Sequence, residues 1–274
     1  MTNKHLKYSL NRRDREKFKK DGFILIKDVL SKREVKNLLS TVDAIWEKHH
    51  SKNQEHYLHM FDFFNQGKTF TNLISHKKTL PLVLGLLGWN IYMYHAHLDV
   101  NLPISKDSSP DLTWHRDNSR INYDFVDGKY PLLALKVGYW LSDVSTKGRG
   151  NLYVIPGSHK WNHKLGKTIK NDKLPSKAIP IKAKPGDIIL FDSRIWHTRS
   201  NNFSKFIRKV IFIGYTYRWI RPRDDAIVSP DILFKATEFQ KQLLSRDINS
   251  SSYTPKEEDV PLKKLYCKLY EDKN

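Results

Sequence analysis

From Asn90 onward the chain is a succession of short runs of β-branched and aromatic residues: Asn90 to Val100, Leu132 to Leu141, Leu152 to Ile155, Ile188 to Phe191 and Lys209 to Tyr217. Clusters of Pro, Gly, Asp and Asn separate them. Such runs fit a pleated, packed surface, and the punctuation between them is turn chemistry. The residues before Asn90 carry a different period. Val35, Leu38, Leu39, Val42, Ile45 and Trp46 recur at helical spacing behind Ser31-Lys32-Arg33-Glu34, a capping box. A charged helix ending near Gly22, a strand Phe23-Ile24-Leu25-Ile26 and a short apolar helix from about Leu80 to Leu87, stopped by Gly88, complete this part. Helices first and many short strands afterwards predict a mainly β domain, a sandwich or barrel with flanking α-helices.

A chain of 274 residues with 39% hydrophobic content is long enough for one such domain. The expected layout is a single domain over 1–274, with a helical buttress at about 10–88 and a β-core at about 90–220. An extension at about 224–274 is expected to add a helix, about Pro230 to Leu244, and a loosely ordered charged end. The one cysteine, Cys267, excludes an internal disulfide and a Cys-rich zinc site, which fits a reducing compartment. No apolar run of signal-peptide or membrane-spanning length occurs, so a cytoplasmic protein is expected. The net charge of +19 is carried largely by Lys spread along the whole chain, a pattern of solvated surface. No helix-turn-helix, RRM-like or zinc-finger pattern accompanies it, which makes a nucleic-acid partner the lesser reading.

Chemistry-bearing residues gather in a dispersed set. In an extended segment, residues i and i+2 point to the same side, so His115 and Asp117 can reach one metal ion while Arg116 points away. His197 follows the turn Pro185-Gly186-Asp187 and the run Ile188-Ile189-Leu190-Phe191, which can carry it back across a barrel. Two imidazoles and one carboxylate on one face of an octahedral Fe(II) leave positions open for a chelating co-substrate and O2. Arg208, which opens the next run, can hold a distant carboxylate by a bidentate pair. Spacing alone leaves a rival open, because His95-Ala96-His97-Leu98-Asp99 contains a second His-x-Asp and a His-x-His.

Several stretches occur in an order that resembles the phytanoyl-CoA dioxygenase-like (PhyH) family of Fe(II)- and 2-oxoglutarate-dependent oxygenases. Asp21-Gly22-Phe23-Ile24-Leu25-Ile26 with Val29-Leu30-Ser31 is similar to that family's opening, and Trp114-His115-Arg116-Asp117 to its metal motif, with Arg where Gln is common. Gly150-Asn151-Leu152 with Ile155-Pro156-Gly157-Ser158-His159 resembles its central segment. Gly186-Asp187 followed by His197, Asn202, Ser204 and Arg208 resembles its distal one.

The resemblance spans about residues 15 to 220 and implies a double-stranded β-helix, the jelly-roll or cupin-like core. It implies His115, Asp117 and His197 as ligands of Fe(II), Arg208 as the anchor of the 2-oxoglutarate co-substrate, Ser204 as a further contact to it, and O2 as oxidant. Halogenating relatives have a small residue in place of the metal carboxylate, so Asp117 favours hydroxylation of a small-molecule metabolite with formation of succinate and CO2. Candidate substrate contacts are His97, Arg116, Asn118, Arg120, Tyr123 and Trp196. The two arginines suit an anionic or zwitterionic molecule. His159 is expected to be structural. A nucleic-acid- or protein-modifying oxygenase and a non-catalytic jelly-roll binding protein are the alternatives, and the sequence does not fix the oligomeric state.

Overall fold

The computed structural model describes residues 8–271, apart from 54, 62, 109–111, 118–124, 126–130, 162–173, 225–226 and 246–249. Helix α1 (Arg12–Asp21) is capped by the Asn11 side chain and ends at Gly22, whose φ of 82° is the left-handed stop that glycine adopts freely. Strand β1 (Phe23–Ile26) leads to α2 (Lys32–Asn53). The expected capping box is present: Glu34 N donates to Ser31 Oγ at 3.3 Å and Ser31 N to Glu34 Oε2 at 2.7 Å. Strand β2 (Tyr57–Met60) and helices α3 (Lys68–Ile74) and α4 (Leu80–Leu87) follow.

The remaining strands are β3 (Ile91–Asn101), β4 (Ala134–Trp140), β5 (Leu152–Val154), β6 (Ile179–Pro180), β7 (Ile188–Asp192), β8 (His197–Arg199) and β9 (Arg208–Tyr217). They form two antiparallel sheets, a six-stranded one in the order β1-β7-β4-β9-β3-β2 and a three-stranded one in the order β6-β5-β8. This is the jelly-roll core with flanking helices. Alternation divides the large sheet into two faces. Leu135, Val137 and Tyr139 of β4 and Ile211, Ile213 and Tyr215 of β9 pack outward against helical residues such as Leu38, Val42, Phe70, Ile74 and Val83. Trp140, Ile189, Phe191, Val210 and Phe212 point inward, against Leu152, Val154 and Ile195 of the small-sheet side. Each such side chain contributes about 1.5–3 kcal/mol by leaving water.

The opening segment is tied to the turn before β7. Gly186, at φ 97°, accepts at its carbonyl from Val29 N and Leu30 N, and a Cβ there would lie 2.7 Å from Leu30 O. Asp187 accepts from Asp28 N and from the Lys27 ammonium, which gives both family-like segments a shared structural purpose.

The expected helix from Pro230 to Leu244 is two helices, Pro230–Lys235 and Glu238–Leu244. Thr237 starts the second with its own capping box to Gln240, which satisfies the free amides that a continuous helix would have left bonded. Within the charged end, the described residues include a packed helix. Helix Leu262–Tyr270 buries Leu262, Leu265 and Leu269, and Tyr270 Oη donates to Pro81 O at 2.7 Å. Among the described residues no helix is long and apolar enough to cross a membrane.

Candidate active site

A sheet face covered by a second layer has no water to solvate charged groups, so charges on it must converge on a polar cavity. Alternation places Lys136 on the inward side of β4 with Trp140, and Arg208 on the inward side of β9 with Val210 and Phe212. His95, His97, Asp99 and Asn101 fall on the inward side of β3. All of these polar residues, with His115, Asp117 and His197, line one cavity of about 340 Å³.

His115 and Asp117 do not sit on a regular strand. His115 makes a single bridge to His197 and Asp117 begins a turn. Ligand atoms of His115, Asp117 and His197 lie within 4.8 Å of one another, with His197 Nε2 4.0 Å from Asp117 Oδ2. Both imidazoles have their tautomer set by the backbone. His115 Nδ1 donates to Thr113 O at 2.9 Å and His197 Nδ1 to Ile195 O at 3.0 Å, which leaves each Nε2 as a lone pair. Desolvation of the imidazole by the cavity wall lowers the pKa of His115, although the residue keeps an exposed surface, and burial together with the neighbouring His115 pushes His197 down to about 3, so both rings are neutral at physiological pH.

Asp117 is 1% exposed. Its Oδ1 accepts from Lys136 Nζ at 2.8 Å and from Arg223 Nη1 at 3.2 Å. Its Oδ2 also lies 2.8 Å from that ammonium and takes no further hydrogen bond. Burial would raise this carboxyl, but Lys136, the two histidines and Arg223 outweigh it and hold the group well below the usual carboxylate range. Two neutral imidazole lone pairs and a buried carboxylate oxygen therefore face one another. That donor set fits a divalent transition metal with open positions.

The rival group is organised differently, although ligand atoms of His59, His97 and Asp99 also lie within 4.8 Å of one another. His59 Nδ1 spends its proton on Asp99 Oδ1 at 2.6 Å. His95 Nδ1 donates to Asp224 Oδ2 at 3.0 Å, which makes His95 Nε2 the acceptor for His97 Nδ1 at 3.1 Å. This is a hydrogen-bonded chain along one cavity wall, and burial, only partly offset by Asp224, holds His95 at about 4.

Arg208 is 2% exposed and donates from Nη1 to Asn101 Oδ1 at 2.7 Å, with Asp99 Oδ2 at 3.7 Å. Its Nε is buried with no acceptor, an orphan donor at the edge of the cavity. Burial lowers its pKa to about 10, so it remains a cation. Gly150, at φ 68°, makes room for it: a Cβ there would lie 2.5 Å from Arg208 Cδ.

The other sequence candidates separate. His97 lines the cavity. Arg116 does not: its guanidinium donates to the carbonyls of Ser158 and Trp161 and lies 5.3 Å from the Trp196 ring, which is likewise outside the lining. Ser204 is also absent from the lining, and its hydroxyl donates to Asn202 Oδ1 at 2.7 Å within the turn before β9. Asn118, Arg120 and Tyr123 lie outside the described residues. His159 is held by the α1 carbonyl of Lys19, at 3.2 Å from Nε2.

Sequence reasoning missed Lys136, Arg223 and His59. The signal for Lys136 was available: a single charge in the middle of the apolar run Leu132 to Leu141, on the same side of the strand as Trp140.

A family model described as phytanoyl-CoA dioxygenase (PhyH) matches residues 18–210. Dioxygenase af480 of Aspergillus fumigatus is 26% identical over 223 residues, 74% of this chain and just under two thirds (66%) of that protein. An ectoine dioxygenase of Sphingopyxis alaskensis is 25% identical over 230 residues, 72% of this chain and 73% of that protein. The crystal structure of HygX from Streptomyces hygroscopicus with iron bound superposes with a TM-score of 0.64 at 19% identity, covering 81% of this chain and 93% of that one. HygX has also been solved with nickel, 2-oxoglutarate and hygromycin B bound. At such identity the structural likeness establishes the fold.

Proposed function

This chain belongs to the phytanoyl-CoA dioxygenase (PhyH) family, and from that premise we propose that it is an Fe(II)- and 2-oxoglutarate-dependent dioxygenase that hydroxylates an unactivated C–H bond of a small-molecule metabolite. The observation that carries the reading is the convergence of two backbone-locked, neutral imidazoles and the buried Asp117 carboxylate. His115, Asp117 and His197 would hold the iron, and bound there with 2-oxoglutarate and O2 it would supply the oxidative decarboxylation to succinate and CO2 and the oxidation of the C–H bond.

The chain's own residues bind, orient and exclude water. Arg208, braced by Asn101, pairs with the far carboxylate of 2-oxoglutarate, for which its orphan Nε is an additional donor. The Thr113 and Ile195 carbonyls keep each histidine in the tautomer that presents Nε2. Phe191 and Phe212 wall the cavity with apolar surface next to Lys136, 5.9 Å from each ring, and limit water near the metal ligands.

The cavity also holds Arg199, Arg223 and Lys136 beside Arg208, against the carboxylates of Asp99 and Asp117. Iron and 2-oxoglutarate bring equal and opposite formal charge, so the excess of cations remains and suits an anionic or zwitterionic substrate. Relatives named for small molecules agree with a metabolite-sized substrate. Fe(II)-dependent conversion of 2-oxoglutarate to succinate, screened with and without acidic metabolites, tests this. Succinate formation stimulated by such a compound supports it, and no formation at any iron or 2-oxoglutarate concentration refutes it.

A further inference from the structure

The β3 wall of the cavity presents acceptors. His95, His97 and Asp99 occupy alternate positions on its inward side, and Asp99 stands opposite His59 of β2. Ionised carboxylates accept and do not donate, so the two carboxylates of this group fix every imidazole proton in it. Asp224 takes the Nδ1 proton of His95, His95 Nε2 takes that of His97, and Asp99 Oδ1 takes that of His59. What remains for the cavity is the lone pair on His97 Nε2 and the Asp99 Oδ2, 3.8 Å apart and too distant for a hydrogen bond. Two acceptors so placed are complementary to a donor and not to each other. The one guanidinium near Asp99 Oδ2 is that of Arg208, with Nη1 at 3.7 Å. When Arg208 pairs with the far carboxylate of 2-oxoglutarate, two carboxylates share one cation and the wall becomes more negative. Its complement is a cation with several N–H donors, which is an ammonium group. Phe61 adds aromatic surface that attracts a cation, its ring lining the cavity 4.7 Å from that of His59 and 6.4 Å from that of His97.

We propose that His97 and Asp99 form an ammonium subsite in the substrate chamber and select a zwitterion, whose acidic group faces the Arg199 and Arg223 guanidiniums lining the same cavity. The inference rests on the iron and 2-oxoglutarate reading above and narrows its substrate to one class. His97 and Asp99 touch the substrate and determine specificity without taking part in the oxidation. His95 and Asp224 are positioning residues: they hold the Nδ1 proton of His97 away from the cavity, so that Nε2 meets the substrate as an acceptor.

The test is calorimetric titration of the protein loaded with Co(II) and 2-oxoglutarate, using γ-aminobutyrate, δ-aminovalerate and ε-aminocaproate, each beside its ω-hydroxy analogue and the plain acid of the same length. The wild type is expected to bind at least one amino acid about tenfold more tightly than its plain acid, as a hydrogen-bonded charge requires. In Asp99→Asn the preference is expected to fall below about twofold, with the plain acid bound no more weakly than by the wild type, which general damage to the cavity would not give. His97→Phe, which removes the other acceptor, carries the test if Asp99→Asn does not fold. No preference for any amino acid in the wild type overturns the subsite, as does an ω-hydroxy acid that binds as tightly as the amino acid. A preference of the same size in the variants means that the amine ligates the metal, and overturns it too. The charge-transfer band of the protein with Fe(II) and 2-oxoglutarate separates the two failures. A band without an ammonium preference refutes the subsite alone, and no band in the folded, iron-loaded protein refutes the iron and 2-oxoglutarate reading and the subsite with it.

Discussion

His115 and His197 exchange both of their backbone hydrogen bonds, N to O at 3.0 Å in each direction, and their rings stand 4.2 Å apart. Each also donates its Nδ1 proton to the carbonyl two residues upstream, Thr113 and Ile195. The backbone therefore sets the position and tautomer of both imidazoles before any ligand arrives. Replacing His197 by Ala should leave the bridge and most of the stability intact while weakening divalent-metal binding by at least about 100-fold. Calorimetric titration with Co(II) reads this directly, and near-native affinity would remove His197 from the ligand set.

Asp117→Ala is expected to do two kinds of damage. It removes a proposed metal ligand, and it leaves the buried Lys136 ammonium without its carboxylate, a loss of about 3–5 kcal/mol in metal-free stability. Lys136→Met on top of Asp117→Ala should recover most of that loss, because a buried apolar side chain replaces an unpaired charge. Urea unfolding of the two variants and the wild type checks the cycle. Additive losses in the double variant would show that the pair is not coupled.

Arg208 answers to geometry as well as charge. Arg208→Ala should raise the 2-oxoglutarate concentration needed for half-maximal turnover by about 100-fold or more, since a hydrogen bond to a charged group and the charge itself are lost. Arg208→Lys should restore only part of it, because an ammonium cannot reproduce a planar fork. Steady-state kinetics with 2-oxoglutarate as the varied substrate measure both, and full recovery by lysine would argue against bidentate binding.

Much of this arrangement was legible in the sequence because short apolar runs leave few alternatives. The runs near β3, β4, β5, β7 and β9 were bounded by turn residues, and the structure places strand ends within a residue or two of them. His115 and Asp117 were legible by their spacing, though a bridge and a turn, not a strand, bring them together. What was hidden is whatever tertiary packing decides. Strand β2 is a four-residue edge strand of mixed polarity, Tyr57–Met60, so nothing local marks His59 as a cavity residue. Arg223 reaches Asp117 from beyond the last strand, across a separation of 106 residues. Spacing left two His-x-Asp pairs open and the family resemblance favoured His115 and Asp117; the tautomers that separate the two groups depend on carbonyls supplied by the fold.

Acid should unfold the metal-free protein through its histidines. Burial holds His95 at about 4 and His197 at about 3, against about 6.5 in an unfolded chain. Between those values the unfolded state takes up protons that the folded state refuses. The stability from keeping these rings neutral is fully present above about pH 6.5 and is lost as pH falls through the folded values. His95 alone accounts for about 3 kcal/mol by pH 4 at about 1.4 kcal/mol per unit. Melting temperatures by circular dichroism should fall steadily from pH 7.5 to pH 5, and a flat or rising profile would contradict the burial of neutral histidines.

Iron and 2-oxoglutarate are expected to meet in one chelate held by His115, Asp117, His197 and Arg208. An anaerobic titration of the metal-free protein with Fe(II) and 2-oxoglutarate, followed through the visible metal-to-ligand charge-transfer band, tests it most directly. A saturable band that needs both additions, and that is absent in His197→Ala, is the predicted result. A folded, iron-loaded wild-type protein that shows no band at any 2-oxoglutarate concentration would rule out this chelate.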